Sequence, residues 1–237
     1  MDNYNFGQTQ QAPSGTMAKA FMANVFSWMF LALTVTAAVS YLFGTNMELM
    51  RLLVNETTGG LSGLGYLVIF SPIAFVLVMS FGLDRLSFPV VVLLFMLYAI
   101  CMGMSLSFIF IQFVHAFIFQ TFLISAGAFG AMAVLGYTTK TDLTKLGMIL
   151  MIALFGVIIA SIVTAIWGGS TFLIDLACVV IFTGLTAYKV QMLKNLGEQA
   201  GLDSVAGRKL AVWGALSLYI TFINLFLTLL RIFGSRR

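Results

Sequence analysis

The chain has 237 residues, of which 61% are hydrophobic and only 8% are charged. Soluble domains contain about 45–50% apolar and about 25% charged residues, so this composition excludes an ordinary water-soluble domain and predicts a lipid bilayer around the chain. The net charge of +4 does not indicate a nucleic-acid partner, because the basic residues lie at the ends of apolar segments, where they set membrane topology.

Seven hydrophobic segments are each close to the roughly 20 residues that a spanning helix needs. They cover residues 25–43, 64–82, 88–112, 117–137, 146–167, 171–190 and 210–230. Residues 1–19 are polar and are predicted to be a disordered tail, and residues 235–237 form a basic C-terminal tail. Continuous apolar runs of this length favour helices over barrel strands, so residues 20–234 are predicted to form a single all-α membrane domain.

Lysine and arginine predict a cytoplasmic N-terminus, because cytoplasmic connections carry an excess of both. With that orientation, Arg51 is the basic residue in the outer connections between helices. The inner side then carries Lys19, Arg85, Lys140, Lys145, Lys189, Lys194, Arg208 and Lys209. A spanning seventh segment would place Arg231 and the C-terminal arginines outside. Two alternatives therefore remain: the segment spans against the rule, or it enters the membrane and returns.

Small residues that are separated by three other residues predict close helix contacts. Gly103 with Ser107, and Ala126 with Gly130, are two such pairs within apolar segments. We interpret both pairs as packing positions.

The seventh segment carries a polar stripe whose residues are spaced alternately three and four apart, which places them on one helical face. The stripe consists of Gly214, Ser217, Thr221, Asn224, Thr228 and Arg231. It indicates either hydrogen bonding between helices or a central helix that lines a water-filled path. Ser217, Thr221 and Asn224 are therefore candidate pore or gating residues.

Two charged residues lie within the sixth segment, where ionisable groups are costly and are functional candidates. Asp175, about one turn inside the outer end, is either a hydrated interfacial carboxylate or a site at which calcium or a proton enters. Lys189, near the inner end, either extends to the headgroups or points into the bundle as a fixed positive charge.

Sequence motifs for resident cofactors and catalysis are absent from the chain. The sequence has one histidine, His115. It contains no nucleotide-binding loop, dinucleotide fingerprint or metalloprotease motif. We therefore predict a protein that is not an enzyme and holds no cofactor.

Two segments carry a resemblance to a known family. Residues 215–234 read ALSLYITFINLFLTLLRIFG, and residues 181–194 read IFTGLTAYKVQMLK. Together they resemble signature regions of the Bax inhibitor-1 family, including its bacterial YccA-like members, over about residues 20–234. The resemblance implies six helices around a central, rather polar seventh, in a multi-pass protein of the bacterial inner membrane.

The resemblance also implies two functions. Several members of the family behave as pH-sensitive calcium leaks, which makes calcium or another cation the transported species here. Some bacterial members instead bind and regulate a membrane-bound ATP-dependent protease, which makes a non-transporting regulator the alternative.

The chain departs from the family at its gating acids. The resemblance expects one acid after Tyr188 and another before Phe222, where this chain has Lys189 and Thr221. Two adjacent carboxylates share a proton and respond to pH, whereas a lysine and a threonine do not. We therefore hypothesise that Lys189 lies near Thr221 and Asn224 and acts as a permanent latch in the closed arrangement.

Overall fold

The structure is a computed structural model that describes residues 14–55, 60–200 and 204–234. Its first helix begins at Ser14, so residues 14–19, which the sequence assigned to a disordered tail, are helical. The buried residues Ala18, Phe21, Met22 and Val25 recur every three or four positions, so the first turns have an apolar face that packs on the bundle. The sequence prediction missed these turns because they are apolar on one face only and form no continuous apolar run. The predicted tails over residues 1–13 and 235–237 lie outside the described residues.

Nine helices occur in the described part of the chain. They are α1 Ser14–Thr45, α2 Met47–Leu53, α3 Gly63–Gly82, α4 Phe88–Leu106, α5 Ile109–Gln112, α6 His115–Thr138, α7 Thr144–Trp167, α8 Phe172–Ala200 and α9 Val205–Phe233. Seven spans are long and apolar enough to cross a membrane, with α4 and α5 together forming the third. The all-α membrane fold with seven hydrophobic helices is therefore confirmed.

Helix α9 lies at the centre of the bundle and contacts α1, α4, α6 and α8. It is one continuous helix of 29 residues, which corresponds to about 43 Å of length, so it does not enter and return. Its apolar residues are buried as completely as its polar ones, and Leu218, Tyr219 and Leu225 have no exposed surface. The predicted central position of the seventh helix is confirmed.

Helix α7 lies at the periphery, where it packs against α8. Gly147 is its one buried residue, and its outer surface carries exposed apolar side chains such as Ile152, Phe155 and Ile159. Because the residues that face outward are apolar, this surface suits lipid rather than water.

Glycines decide where helices come closest. A Cβ on Gly136 of α6 would overlap the backbone of Ala187 in α8, and one on Gly103 of α4 would lie 2.8 Å from Thr36 O in α1. The predicted packing role of Gly103 is therefore confirmed. The prediction for Ala126 and Gly130 is wrong, because a Cβ on Gly130 would meet no atom within 4 Å and Ala126 is exposed.

The two ends of the bundle differ in charge. At one end, which we call the basic end, Lys19 lines a shallow groove with Tyr137 and Thr138, close to where Lys194 contacts α6. Helices α6 and α8 run in the same direction, because Tyr137 and Lys194, near their C-terminal ends, meet at the basic end. His115 and Asp175, near the first residues of each helix, therefore lie at the opposite end.

Candidate functional site

Three consecutive residues of α8 face three different helices. Ala187 lies against Gly136 of α6, and the ring of Tyr188 covers Gly147 of α7. Successive residues of an α-helix are rotated by about 100°, so Lys189 then points toward α9. The two glycine contacts hold the rotation of α8, which directs the lysine into the bundle.

The ammonium group of Lys189 joins α8 to the central helix. Its Nζ donates to Thr221 Oγ1 at 2.8 Å and to Ser217 O at 3.2 Å. Thr221 Oγ1 in turn donates to Ser217 O at 2.9 Å. Side chains on a helix point back toward its N-terminus, so the lysine side chain extends toward the opposite end of the bundle, deeper into the apolar region. Of the two orientations considered for Lys189, the inward one is observed.

Neutral oxygen atoms, rather than a carboxylate, hold this ammonium group. No described carboxylate forms an ion pair with Lys189, and the described residues contain no group of three His, Cys, Asp or Glu side chains that could hold a metal ion. The lysine therefore places an uncompensated positive charge at the α8–α9 contact. A positive charge in a medium of low dielectric constant strongly repels an approaching cation.

The other polar residues of α9 mostly satisfy themselves within their own helix. Asn224 Nδ2 donates to Ile220 O at 2.9 Å, and Thr228 Oγ1 donates to Asn224 O at 2.7 Å. Ser217 contributes its main-chain carbonyl, not its hydroxyl, to the contact with Lys189. The stripe is therefore not a continuous line of hydrogen bonds between helices. The hypothesised contact of Lys189 with Thr221 is present, whereas the amide of Asn224 bonds elsewhere.

Asp175 lies in the first turn of α8, where its carboxylate pairs with Arg231 of α9. Arg231 Nη2 lies 2.9 Å from Asp175 Oδ1. The carboxylate is 6% exposed, so the first of the two alternatives for this residue, a hydrated interfacial carboxylate, is not observed. It also has a cation already, in the form of the guanidinium. The sequence contained a signal for this pair, since α8 and α9 are adjacent antiparallel segments with opposite charges near their shared end.

Several polar contacts at the basic end were not anticipated from the sequence. Gln191 accepts from Leu143 N at 2.8 Å and donates to Thr141 O at 2.7 Å, which ties the α6–α7 connection to α8. Lys194 Nζ donates to Tyr137 O at 3.0 Å and lies 5.0 Å from the centre of the same ring.

Lys209 makes a similar contact with the α3–α4 connection, donating to Leu83 O at 2.8 Å and to Leu86 O at 3.2 Å. Lys194 and Lys209 both meet carbonyl groups at or just beyond helix C-termini, which favour a positive charge. Basic residues that the topology rule reads only as charges are thus also structural caps.

Comparison with known proteins agrees with this architecture. The family described as "Inhibitor of apoptosis-promoting Bax1" matches residues 18–237. The chain belongs to the Bax inhibitor-1 family. It is 44% identical over 223 residues to the inner membrane protein YbhL of Escherichia coli K12, an alignment that covers 92% of this chain and 93% of YbhL.

Further relatives in the family come from distant bacteria. An uncharacterized protein of Borreliella burgdorferi is 37% identical, with 97% of each chain covered. One from Rickettsia prowazekii is 36% identical, with 92% of this chain and 91% of the relative covered. The whole membrane domain, including the α8–α9 contact, therefore lies within the family match, and the chain is a multi-pass membrane protein of this family.

Proposed function

We propose that this chain is a cation leak pathway of the Bax inhibitor-1 type, with calcium as the transported ion, and that Lys189 holds it closed. The observation that carries the proposal is the bond from Lys189 to Thr221, at the two positions where the resemblance expects paired acids. In this chain a lysine and a threonine make a direct bond between the same two helices.

The latch has a simple physical basis. With acids at both positions, loss of a shared proton would set two negative charges against each other and favour separation of α8 from α9. Lys189 instead donates to the oxygen atoms of Ser217 and Thr221, and the contact contains no pair of acids that share a proton. The same charge opposes calcium electrostatically, so closure and exclusion have one cause.

Calcium entry into liposomes tests the proposal. The purified protein is reconstituted, and entry is followed with a trapped calcium-sensitive dye between pH 6 and pH 8, with empty liposomes as background. We expect little entry for the parent and higher, pH-dependent entry for the double variant Lys189→Asp/Thr221→Asp, which restores two facing acids.

A matched variant separates the latch from a general effect of charge. Lys194→Gln also removes a lysine from α8, but at the residue that contacts Tyr137 at the basic end. We expect this variant to stay as closed as the parent. If the double variant admits no more calcium than the parent at any pH, or if Lys194→Gln opens the pathway equally, the latch proposal is wrong.

A second candidate function is the regulation of another membrane protein, such as a membrane-bound ATP-dependent protease. It is favoured by the internal hydrogen bonding of Asn224 and Thr228, which leaves few polar groups for an ion path. Helix α7, exposed along almost its whole length, offers a surface for a partner helix. Crosslinking from Phe155 on α7 in native membranes, compared with crosslinking from Phe70 on α3, would reveal a partner confined to α7.

We also propose that the protein lies in the bacterial inner membrane with the basic end in the cytoplasm. The name of the relative YbhL and the grouping of Lys19, Lys194 and Lys209 at that end support this orientation. Because α9 spans once more, the C-terminus is then on the outer side. Alkaline phosphatase fused after Gly234 should be active in intact cells, and fused after Lys140 it should be inactive; the reverse pattern would overturn the orientation.

A further inference from the structure

A groove of about 640 Å³ opens between α1 and α6 near the end of the bundle opposite the basic end. Its floor includes Ile223 and Phe226 of α9, and its walls include Ala37 of α1 together with Phe119 and Phe122 of α6. The groove is therefore a gap in the ring of helices through which the central helix faces the membrane. Nearly all of its surface is apolar, so it suits a hydrocarbon chain rather than an ion.

The length of the groove matches one leaflet. Along α1 it extends from Leu33 to Thr45. The helical rise between these two residues, twelve positions apart, is about 18 Å, and half of a bilayer's hydrocarbon core is about 15 Å. The acyl chain and ester group of one lipid that lies parallel to the helices would therefore together fill the groove from its mouth to its inner limit.

Ser40 supplies a polar group inside this apolar groove. It is 4% exposed, lines the groove, and its Oγ has no hydrogen-bond partner in the described structure. In the same helix, Ser27, Thr34 and Thr45 each donate to the carbonyl four residues earlier. The Ser40 hydroxyl does not, and an unsatisfied buried hydroxyl is costly unless a ligand accepts its proton.

The outer end of the groove is polar and includes an arginine side chain. A second depression, of about 490 Å³, shares Thr45 and Phe110 with the groove and is lined also by Asn46 and Arg51. The two depressions therefore form one trough that begins in apolar surface, passes a buried hydroxyl and ends at an arginine. This order matches the acyl chain, ester carbonyl and phosphate of a phospholipid, and the arginine favours a lipid with net negative charge.

We propose that this trough, formed by α1, α2, α5 and α6, binds one anionic phospholipid from the leaflet at the end opposite the basic end. One acyl chain lies against Ile223 and Phe226. Ser40 donates its hydrogen bond to a glycerol ester carbonyl. Arg51 contacts the phosphate, and the bound lipid seals the gap beside α9.

Phosphatidylglycerol serves as the probe. The purified full chain is titrated with it in detergent, and bound lipid is counted by native mass spectrometry, with phosphatidylcholine as the zwitterionic comparison. We expect one phosphatidylglycerol bound more tightly than phosphatidylcholine. Ser40→Ala should weaken its binding several-fold, and Arg51→Gln should reduce the preference for the anionic lipid.

A pair of neighbouring substitutions tests the location. Ala37 and Ala38 are both exposed on α1, but only Ala37 lines the groove. Ala37→Phe should lower binding at least tenfold, whereas Ala38→Phe should leave it unchanged, and the melting temperature of both variants should match the parent's. Equal binding by the parent and Ala37→Phe, or equal loss in both variants, would overturn the proposal, as would binding of no lipid by the parent.

Discussion

Asp175 and Arg231 form an ion pair that joins the first turn of α8 to the last turn of α9, with Nη2 and Oδ1 2.9 Å apart. The two side chains are unequally buried, since the carboxylate is 6% exposed and the guanidinium 50%. This pair explains how a basic residue is accommodated at the end of the bundle opposite the basic end. It also fixes the register of α8 against α9 in the helix pair that carries Lys189.

The unequal burial predicts unequal effects of removing either partner. Arg231→Gln leaves a buried carboxylate without its cation, so we expect a loss of about 2 kcal/mol in the free energy of unfolding, below the 3–5 kcal/mol seen for fully buried pairs. Asp175→Asn leaves a half-exposed guanidinium that can turn toward water, and should cost less. Unfolding in lipid bicelles measures both, and equal costs would contradict the asymmetry.

Lys189→Met should leave stability unchanged or raise it by about 1 kcal/mol. The variant removes an ammonium group that has no acidic partner, and Thr221 keeps its bond to Ser217 O, so no polar group is left unsatisfied. Lys194→Met is the comparison, and should be destabilising because it removes a cation from the C-terminal end of α6. If Lys189→Met lost more stability than Lys194→Met, this prediction would be wrong, and the main role of Lys189 would be to stabilise the fold.

Gly136→Ala should strongly destabilise the protein, because the added methyl group would overlap the main chain of Ala187 and force α6 away from α8. We expect a cost of about 3 kcal/mol, at the upper end of the range for overpacking. Gly130→Ala in the same helix adds a methyl group in open space and should be neutral or slightly stabilising, because alanine has the higher helix propensity. The melting temperatures of the two variants, measured in the same detergent, test this difference.

The hydrogen bonds of Asp142 are expected to make part of the protein's stability depend on pH. Hydrogen bonds from the hydroxyl and the main-chain N–H of Thr144, at 2.6 and 2.9 Å, lower the pKa of this carboxyl group below its usual value. A lowered pKa in the folded state gives a stabilisation that is present above the pKa of the unfolded chain, about 4, and is lost as pH falls through the folded value. The melting temperature of Asp142→Ala should therefore lie below the parent's at pH 7, and the difference should shrink below about pH 4. A difference that stays constant with pH would show that the hydrogen bonds do not depend on ionisation.

The burial of individual spans was only partly predictable. The polar stripe of α9 predicted a helix with several neighbours, and α9 is central. The sequence gives α7 the same kind of apolar run as α4, yet α7 is peripheral and α4 contacts α1, α3 and α9. Apolar content shows that a helix crosses the membrane, but not which helices it meets, because lipid and protein interiors are about equally apolar.

The class of protein, the number of spans and the family could all be predicted from the amino-acid sequence alone. These follow from the length of apolar runs and from a local motif, and neither depends on which residues meet in space. The sequence also showed that Lys189 and Thr221 occupy the two positions where the resemblance expects paired acids.

The partners of the charged residues, in contrast, depend on how the helices pack against one another. Lys189 faces Thr221 because Gly136 and Gly147 fix the rotation of α8, and Asp175 faces Arg231 because α8 and α9 pack antiparallel in one register. Such contacts depend on the rotation and displacement of whole helices. Those are set by many small packing contacts over the bundle, which no single segment of sequence contains.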